Sequence, residues 1–129
     1  MTAPAEPATP PTADVEHILA CSEFVASALA RDPTLLADLT GRGGLVRRRD
    51  SGGEASWPDG ASPDLGLDEP AFQSWLRRWR RREMVRIAWR DLAGTAALPE
   101  TLEDLSAFAD DAIGLAYAHA WRSTTALGC

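Results

Sequence analysis

The stretch that decides the fold is Leu76-Arg77-Arg78-Trp79-Arg80-Arg81-Arg82-Glu83-Met84-Val85-Arg86-Ile87-Ala88-Trp89-Arg90-Asp91-Leu92-Ala93-Gly94. Seven arginines fall between Arg77 and Arg90, interleaved with Trp79 and Trp89 and preceded by Trp75. The spacing predicts one long helix from Asp68, with Glu69 and Pro70 in its first turn and Gly94 just past its end. An acidic start and a glycine stop match the electrostatic and conformational asymmetry of helix ends. The apolar pattern changes sides along it. Phe72, Trp75, Leu76 and Trp79 share one face, whereas Met84, Val85, Ala88, Trp89 and Leu92 gather on the opposite one. The helix is therefore expected to pass between two bodies.

Glu83, Arg86 and Arg90 continue the line of Phe72 and Trp79, where the first apolar stripe would have run on. A charged trio in that place needs a partner, either an ion-pair network or a phosphate-bearing site. These three are the candidate site residues, phosphate-facing or core-bracing. Arg77, Arg78, Arg80, Arg81 and Arg82 point round most of the helix and cannot converge on one ligand. They read as a solvated face whose stems pack on the indoles. Trp75, Trp79 and Trp89 read as core.

Outward from this helix the pattern stays helical. Val15, Ile18, Leu19, Ser22, Val25, Ala26 and Leu29 keep the spacing of one helical face, predicting a helix from about Thr12, capped by Thr12 or Asp14, to Arg31. Asp32-Pro33 ends it, and a short second helix with Leu35, Leu36 and Leu39 buried runs through Leu39 and is stopped by Gly41. A fourth helix covers about Leu98 to Thr125, with Thr101 and Asp104 resembling a capping box. Between the pairs, residues 40–67 are rich in glycine and proline and keep no period. Leu45, Val46 and Trp57 are the points that would tack this loop down. The expectation is an all-α chain of about four helices: a lead-in without order over 1–11, a helical pair over 12–39, the loop over 40–67 and a helical hairpin over 68–127, forming one partial domain.

The totals narrow the functional classes. The 129 residues carry 45% apolar and 25% charged side chains, enough for one core. All 13 basic residues are arginine, and the net charge is −6. Residues 77–90 carry +6, which leaves −12 on the remainder. An acidic chain is a poor ligand for nucleic acid. No apolar run is long enough to cross a bilayer, so no membrane partner is expected. Cys21 and Cys129 have neither zinc-site nor disulfide-framework spacing, which fits a reducing, cytoplasmic setting.

Other chemistry is thin. His17 and His119 lie far apart, read as surface or helix-flank residues, and suggest no metal site. Asp110 and Asp111 diverge around their helix and read as solvated charge. The glycines at 41–44 lack the Gly-Lys-Ser/Thr ending of a phosphate loop. No catalytic residue and no metal ligand is assigned.

Arg77 to Gly94 resembles the Arg-Phe-Arg-Arg-Arg-Glu…Arg-Ile…Arg-Asp-Leu stretch of the bacterial glutamine synthetase adenylyltransferase (adenylyl-removing) family. Leu19-Ala20-Cys21-Ser22-Glu23-Phe24-Val25, followed by Ala30-Arg31-Asp32-Pro33, resembles that family's early helix pair. Thr101-Leu102-Glu103-Asp104-Leu105-Ser106-Ala107-Phe108-Ala109-Asp110 resembles the helix that follows its arginine motif. The likeness covers about residues 14–39 and 68–122, in the family's order.

The resemblance implies a helical segment preceding a nucleotidyltransferase α/β core that is absent here. It implies part of a bifunctional enzyme that attaches AMP from ATP to glutamine synthetase and removes it from the modified tyrosine by phosphorolysis, regulating nitrogen assimilation. Mg2+ and ATP are the implied cofactors of the whole enzyme. Glutamine synthetase, a PII-type signal protein and the rest of the same polypeptide are the implied partners. The family's metal-binding aspartates lie in a Gly-Gly…Ser-Asp-x-Asp stretch that this sequence does not reach. The 129 residues alone are therefore expected to be inactive and to need no cofactor. The alternative is a free-standing helical interaction module, with residues 72–92 docking into a partner's groove.

Overall fold

The computed structural model describes residues 12–45, 47–49, 53 and 56–126. They form five α-helices and a short 3-10 turn, with no strand among the described residues: α1 (Thr12–Cys21), α2 (Glu23–Arg31), α3 (Leu35–Gly41), the turn at Pro58–Gly60, α4 (Glu69–Leu92) and α5 (Leu98–Ala126). The lead-in over 1–11, the side chains of Thr12 and Asp14, Val46 and Cys129 lie outside the described residues.

The first expected helix is two helices. Ser22 leaves the helical conformation (φ −136°, ψ 104°), and its hydroxyl accepts a 3.2 Å hydrogen bond from the Val25 amide. The apolar period runs through unbroken because Ile18 of α1 and Val25 and Ala28 of α2 enter the same core. Serine competes for backbone amides better than it supports a helix interior, and here that competition caps a new helix. Asp32 then accepts from both the amide (3.2 Å) and the hydroxyl (2.8 Å) of Thr34, which turns the chain into α3. The helix runs two residues past the expected Leu39 and includes Gly41, and the glycine that takes the left-handed backbone beyond it is Gly43, at φ +70°.

α4 obeys its sequence signals. The Asp68 carboxylate accepts from the Ala71 amide at 3.0 Å, and Gly94 takes φ +76° just beyond the helix. From Arg82 to Arg90, seven of nine residues are buried and Met84 and Ala88 are half-buried, so α4 is the central element of the fold. Two apolar clusters flank it. Ile18, Val25, Ala28, Leu35, Leu39 and Leu45 from α1–α3 and the start of the loop close over Val85 and Trp89. On the other side Trp79 and Ile87 pack with Phe108, Leu105, Ala112 and Leu115 of α5, with Trp57 of the loop against them. Trp79 and Phe108 meet edge to face at 4.7 Å, a pairing worth about 0.5–1.5 kcal/mol beyond the area it buries. The change of sides read in the sequence is thus a helix shared between two cores.

Two smaller readings are corrected. Thr101 and Asp104 do not form a capping box. Thr101 lies inside α5, its hydroxyl near Ala97 O and Asp91 Oδ1 at 3.3 Å each, and Asp104 faces Arg90. His119 is not a surface residue: it is 5% exposed, stacked on Phe72 at 4.0 Å and 4°, with Nε2 2.8 Å from Leu67 O.

Candidate functional site, a buried arginine–carboxylate network

The polar side of α4's buried half faces Gly44, Arg47, Arg49, Gly53 and Ser56 of the loop and the start of α5. Glu83 is fully buried. Its Oε1 accepts from Arg86 Nε at 2.6 Å, and its Oε2 accepts from Ser56 Oγ at 3.0 Å. Arg49 Nε lies 3.4 Å from the same Oε2, and Arg49 Nη2 donates to Asp111 of α5 at 2.7 Å. Arg86, 1% exposed, turns Nη1 to the carbonyl oxygens of Gly44 (3.1 Å) and Arg47 (3.0 Å). Two carboxylates and two guanidiniums alternate across α4, the loop and α5. Desolvated charge is tolerable in that arrangement because each charge faces its opposite.

Arg90 belongs to a second, neighbouring set. Its Nη1 lies 2.7 Å from Glu100 Oε2 and 3.4 Å from Asp104 Oδ2, both at the start of α5. Arg48 of the loop reaches Glu100 at 3.7 Å and hydrogen-bonds Glu103, so the loop and α4 grip the same turn of α5. A third set ties α4 to α3: Arg82 donates Nε to Ser56 O at 2.8 Å and pairs with Asp38, and Arg42 pairs with Asp38 at 3.2 Å and donates to Trp57 O at 2.7 Å.

Of the sequence-predicted trio, Glu83 and Arg86 are in direct contact, and Arg90 holds different partners. All three point inward, and protein groups engage both Glu83 oxygens and each guanidinium. Arg86 Nη2 and Arg90 Nε are the donors left without a hydrogen bond. Arg82, read as part of a solvated face, is 6% exposed. Trp75, Trp79 and Trp89 pack within the protein, as read. Asp110 is exposed, but Asp111 is an ion-pair partner rather than solvated charge. His17 lies at the surface of α1, with Cys21 Sγ, one turn on, 3.7 Å from its Nε2. Among the described residues no three His, Cys, Asp or Glu side chains converge on a metal position.

Sequence reading missed the loop's share of this network. Arg48, Arg49, Ser56 and Gly53 carry it, and the only sign was the run Arg47-Arg48-Arg49 inside a glycine-rich segment. Gly53 lies directly under the network. Its carbonyl oxygen accepts from Ser56 Oγ (3.2 Å) and from Trp79 Nε1 (3.4 Å). Its φ is +71°, and a Cβ there would sit 2.9 Å from Glu83 Oε2 and 3.0 Å from Trp79 Cζ2. Only glycine satisfies both the backbone conformation and the closeness of approach.

Comparison with known proteins places these residues in a family. The family model described as "Glutamate-ammonia ligase adenylyltransferase" matches residues 12–128. The "Bifunctional glutamine synthetase adenylyltransferase/adenylyl-removing enzyme" of Pseudomonas aeruginosa is 42% identical over 103 residues, which is 80% of this chain and 10% of that protein. The proteins of the same name from Nitrosococcus oceani and Thioalkalivibrio sulfidiphilus are 41% and 43% identical over 79% of this chain, and 11% and 10% of their own lengths. The chain thus spans about a tenth of the length of the curated relatives it matches. No solved structure matches it. A family match running from α1 through α5 takes in every helix that builds the buried network, and the chain belongs to the glutamate-ammonia ligase adenylyltransferase family.

Proposed function

We propose that these residues are the helical, bracing part of a bifunctional enzyme that adenylylates glutamine synthetase and removes the adenylyl group again. The relatives' names and the family match support that activity. In this reading the catalytic centre, with its ATP and Mg2+, belongs to parts of the polypeptide outside this chain. The whole enzyme works in the cytoplasm and is regulated through a PII-type protein. The role of Glu83, Arg86 and Arg90 is to hold α4 rigidly against the loop and α5, rather than to contact phosphate. The observation that carries it is their burial, at 0%, 1% and 3% exposed, with carboxylates and carbonyl oxygens already occupying the positions a phosphate would take.

The test is Arg90→Ala in the complete enzyme. Bracing predicts de-adenylylation that falls together with the melting temperature and a substrate KM that stays near wild type. A raised KM at unchanged melting temperature would show a phosphate contact instead.

One observation favours a second reading, a free-standing interaction module. Leu98, Leu102, Ile113, Tyr117 and Trp121 of α5 are each more than half exposed, and so much apolar side chain on one helix is the mark of a surface that meets other protein. An immunoblot of the source organism against residues 68–94 separates the readings. A band far larger than 129 residues supports the enzyme, and a band of this size alone supports the module.

A further inference from the structure

Seven arginines of the fold, at 42, 48, 49, 78, 82, 86 and 90, are each paired with a carboxylate. Arg77, Arg80 and Arg81 are the exception on α4. No hydrogen bond or ion pair engages them among the described residues, although the chain carries 19 acidic side chains. Arg77 and Arg80 are exposed and Arg81 is half-exposed. At the α-helical repeat these three occupy a sector of about 100° and about 6 Å of helix axis. They lie on the side of α4 away from Trp79, Glu83 and Arg86. Three adjacent cations left unneutralised on an acidic protein are a local field of opposite sign to their surroundings, the arrangement that selects and steers a charged partner.

We propose that this face of α4 is a docking surface for an acidic protein segment, an exposed helix carrying carboxylates at i, i+3 and i+4 that match the three guanidiniums. Two features favour a protein over a nucleic acid. The patch is only one helical turn long and is bounded by Glu69 about 12 Å before Arg77 and Asp91 about 15 Å after Arg81; these acids would repel a long polyanion. The aromatic side chains that would stack on bases face away, with Trp79 and Trp89 buried in the two cores and Trp75 packed beside Trp79. The surface is a property of α4's outer side and stands independently of the enzymatic reading.

The experiment uses the 129-residue protein and a labelled helical peptide bearing Glu at i, i+3 and i+4, with Gln and Lys versions as comparisons. Binding is read by fluorescence anisotropy. The expected result is a preference of about tenfold for the Glu peptide over the Gln peptide at low ionic strength, since three exposed pairs each contribute modestly. The preference should fade as salt is added. Triple charge reversal, Arg77→Glu, Arg80→Glu and Arg81→Glu, should abolish binding of the Glu peptide and create binding of the Lys peptide at unchanged helix content by circular dichroism. Gain of the Lys peptide guards against simple unfolding. Equal affinity for Glu and Gln peptides overturns the proposal. So does a single-stranded oligonucleotide that outcompetes the Glu peptide, or self-association of the protein that the triple variant removes.

Discussion

Glu83 Oε1 accepts a 2.6 Å hydrogen bond from Arg86 Nε, three residues along the same helix, and neither side chain is more than 1% exposed. The pair is not a surface i, i+3 bridge of a few tenths of a kcal/mol. Glu83 is also the acceptor for Ser56 and the counter-charge for Arg49. Removing it leaves the buried Arg86 with carbonyl oxygens but no carboxylate, and leaves Arg49 with Asp111 as its remaining counter-charge. Glu83→Ala is therefore expected to lower unfolding free energy by about 3–5 kcal/mol, the range for an uncompensated buried charge. Glu83→Gln retains an acceptor oxygen and should lose less. Urea unfolding of the three proteins checks the order, and an alanine variant as stable as wild type would refute the bracing role.

Gly53 and Gly94 share a left-handed backbone, at φ +71° and +76°, but differ in surroundings. A Cβ at Gly94 meets nothing within 4 Å, whereas one at Gly53 collides with Glu83 and Trp79. Gly94→Ala should cost about 1 kcal/mol for the backbone alone. Gly53→Ala should cost clearly more and should also red-shift tryptophan emission by displacing Trp79. Equal losses at the two sites would mean that the loop yields and that Gly53 does not hold the network closed.

Much of this was legible because helical spacing reports burial. α4 announced its limits through Asp68, Pro70 and Gly94, and its change of apolar face through Trp79 against Val85 and Trp89. The position of Glu83, Arg86 and Arg90 on an otherwise apolar line marked them as inward-facing. What the sequence withheld was who meets them. Ion pairs across a 28-residue loop leave no period, so Arg49 and Ser56 could not be matched to Glu83, nor Asp38 to Arg82. Asp104 and Thr101 imitate a cap because cap preferences are local and the Arg90 carboxylate partners are not. His119 looked peripheral for the same reason, since Phe72 and Leu67, which enclose it, lie about 50 residues earlier in the chain.

The break at Ser22 gives a further test. Its hydroxyl caps α2 through the Val25 amide while the residue stays half-exposed. Ser22→Ala should destabilise by about 1 kcal/mol, and Ser22→Asp should restore or exceed wild-type stability by adding charge at a helix start. The two variants differ in sign only if residue 22 is a cap. A continuous helix over residues 12–31 would be stabilised by alanine and destabilised by aspartate, so thermal melting of both variants distinguishes one helix from two.

Arg90 tests whether geometry or charge alone holds α4 to α5. Its guanidinium contacts both Glu100 and Asp104, which stand one turn apart on α5, and Arg48 Nε lies 3.7 Å from the other carboxylate oxygen of Glu100. Both carboxylates meet the same nitrogen, Nη1, so what distinguishes arginine here is the rigid, planar reach that carries that nitrogen between them, which an ammonium on a shorter flexible stem does not reproduce. Arg90→Lys should therefore keep the net charge yet lose a substantial part of what Arg90→Ala loses, about half of a 3–5 kcal/mol penalty for a broken buried pair. The alanine variant leaves Asp104 buried without its cation, and adding Asp104→Ala to it should recover stability. Full retention by lysine would reduce the contact to charge balance. No recovery in the double variant would show that Arg90 acts through its packing against α5 rather than through the carboxylate.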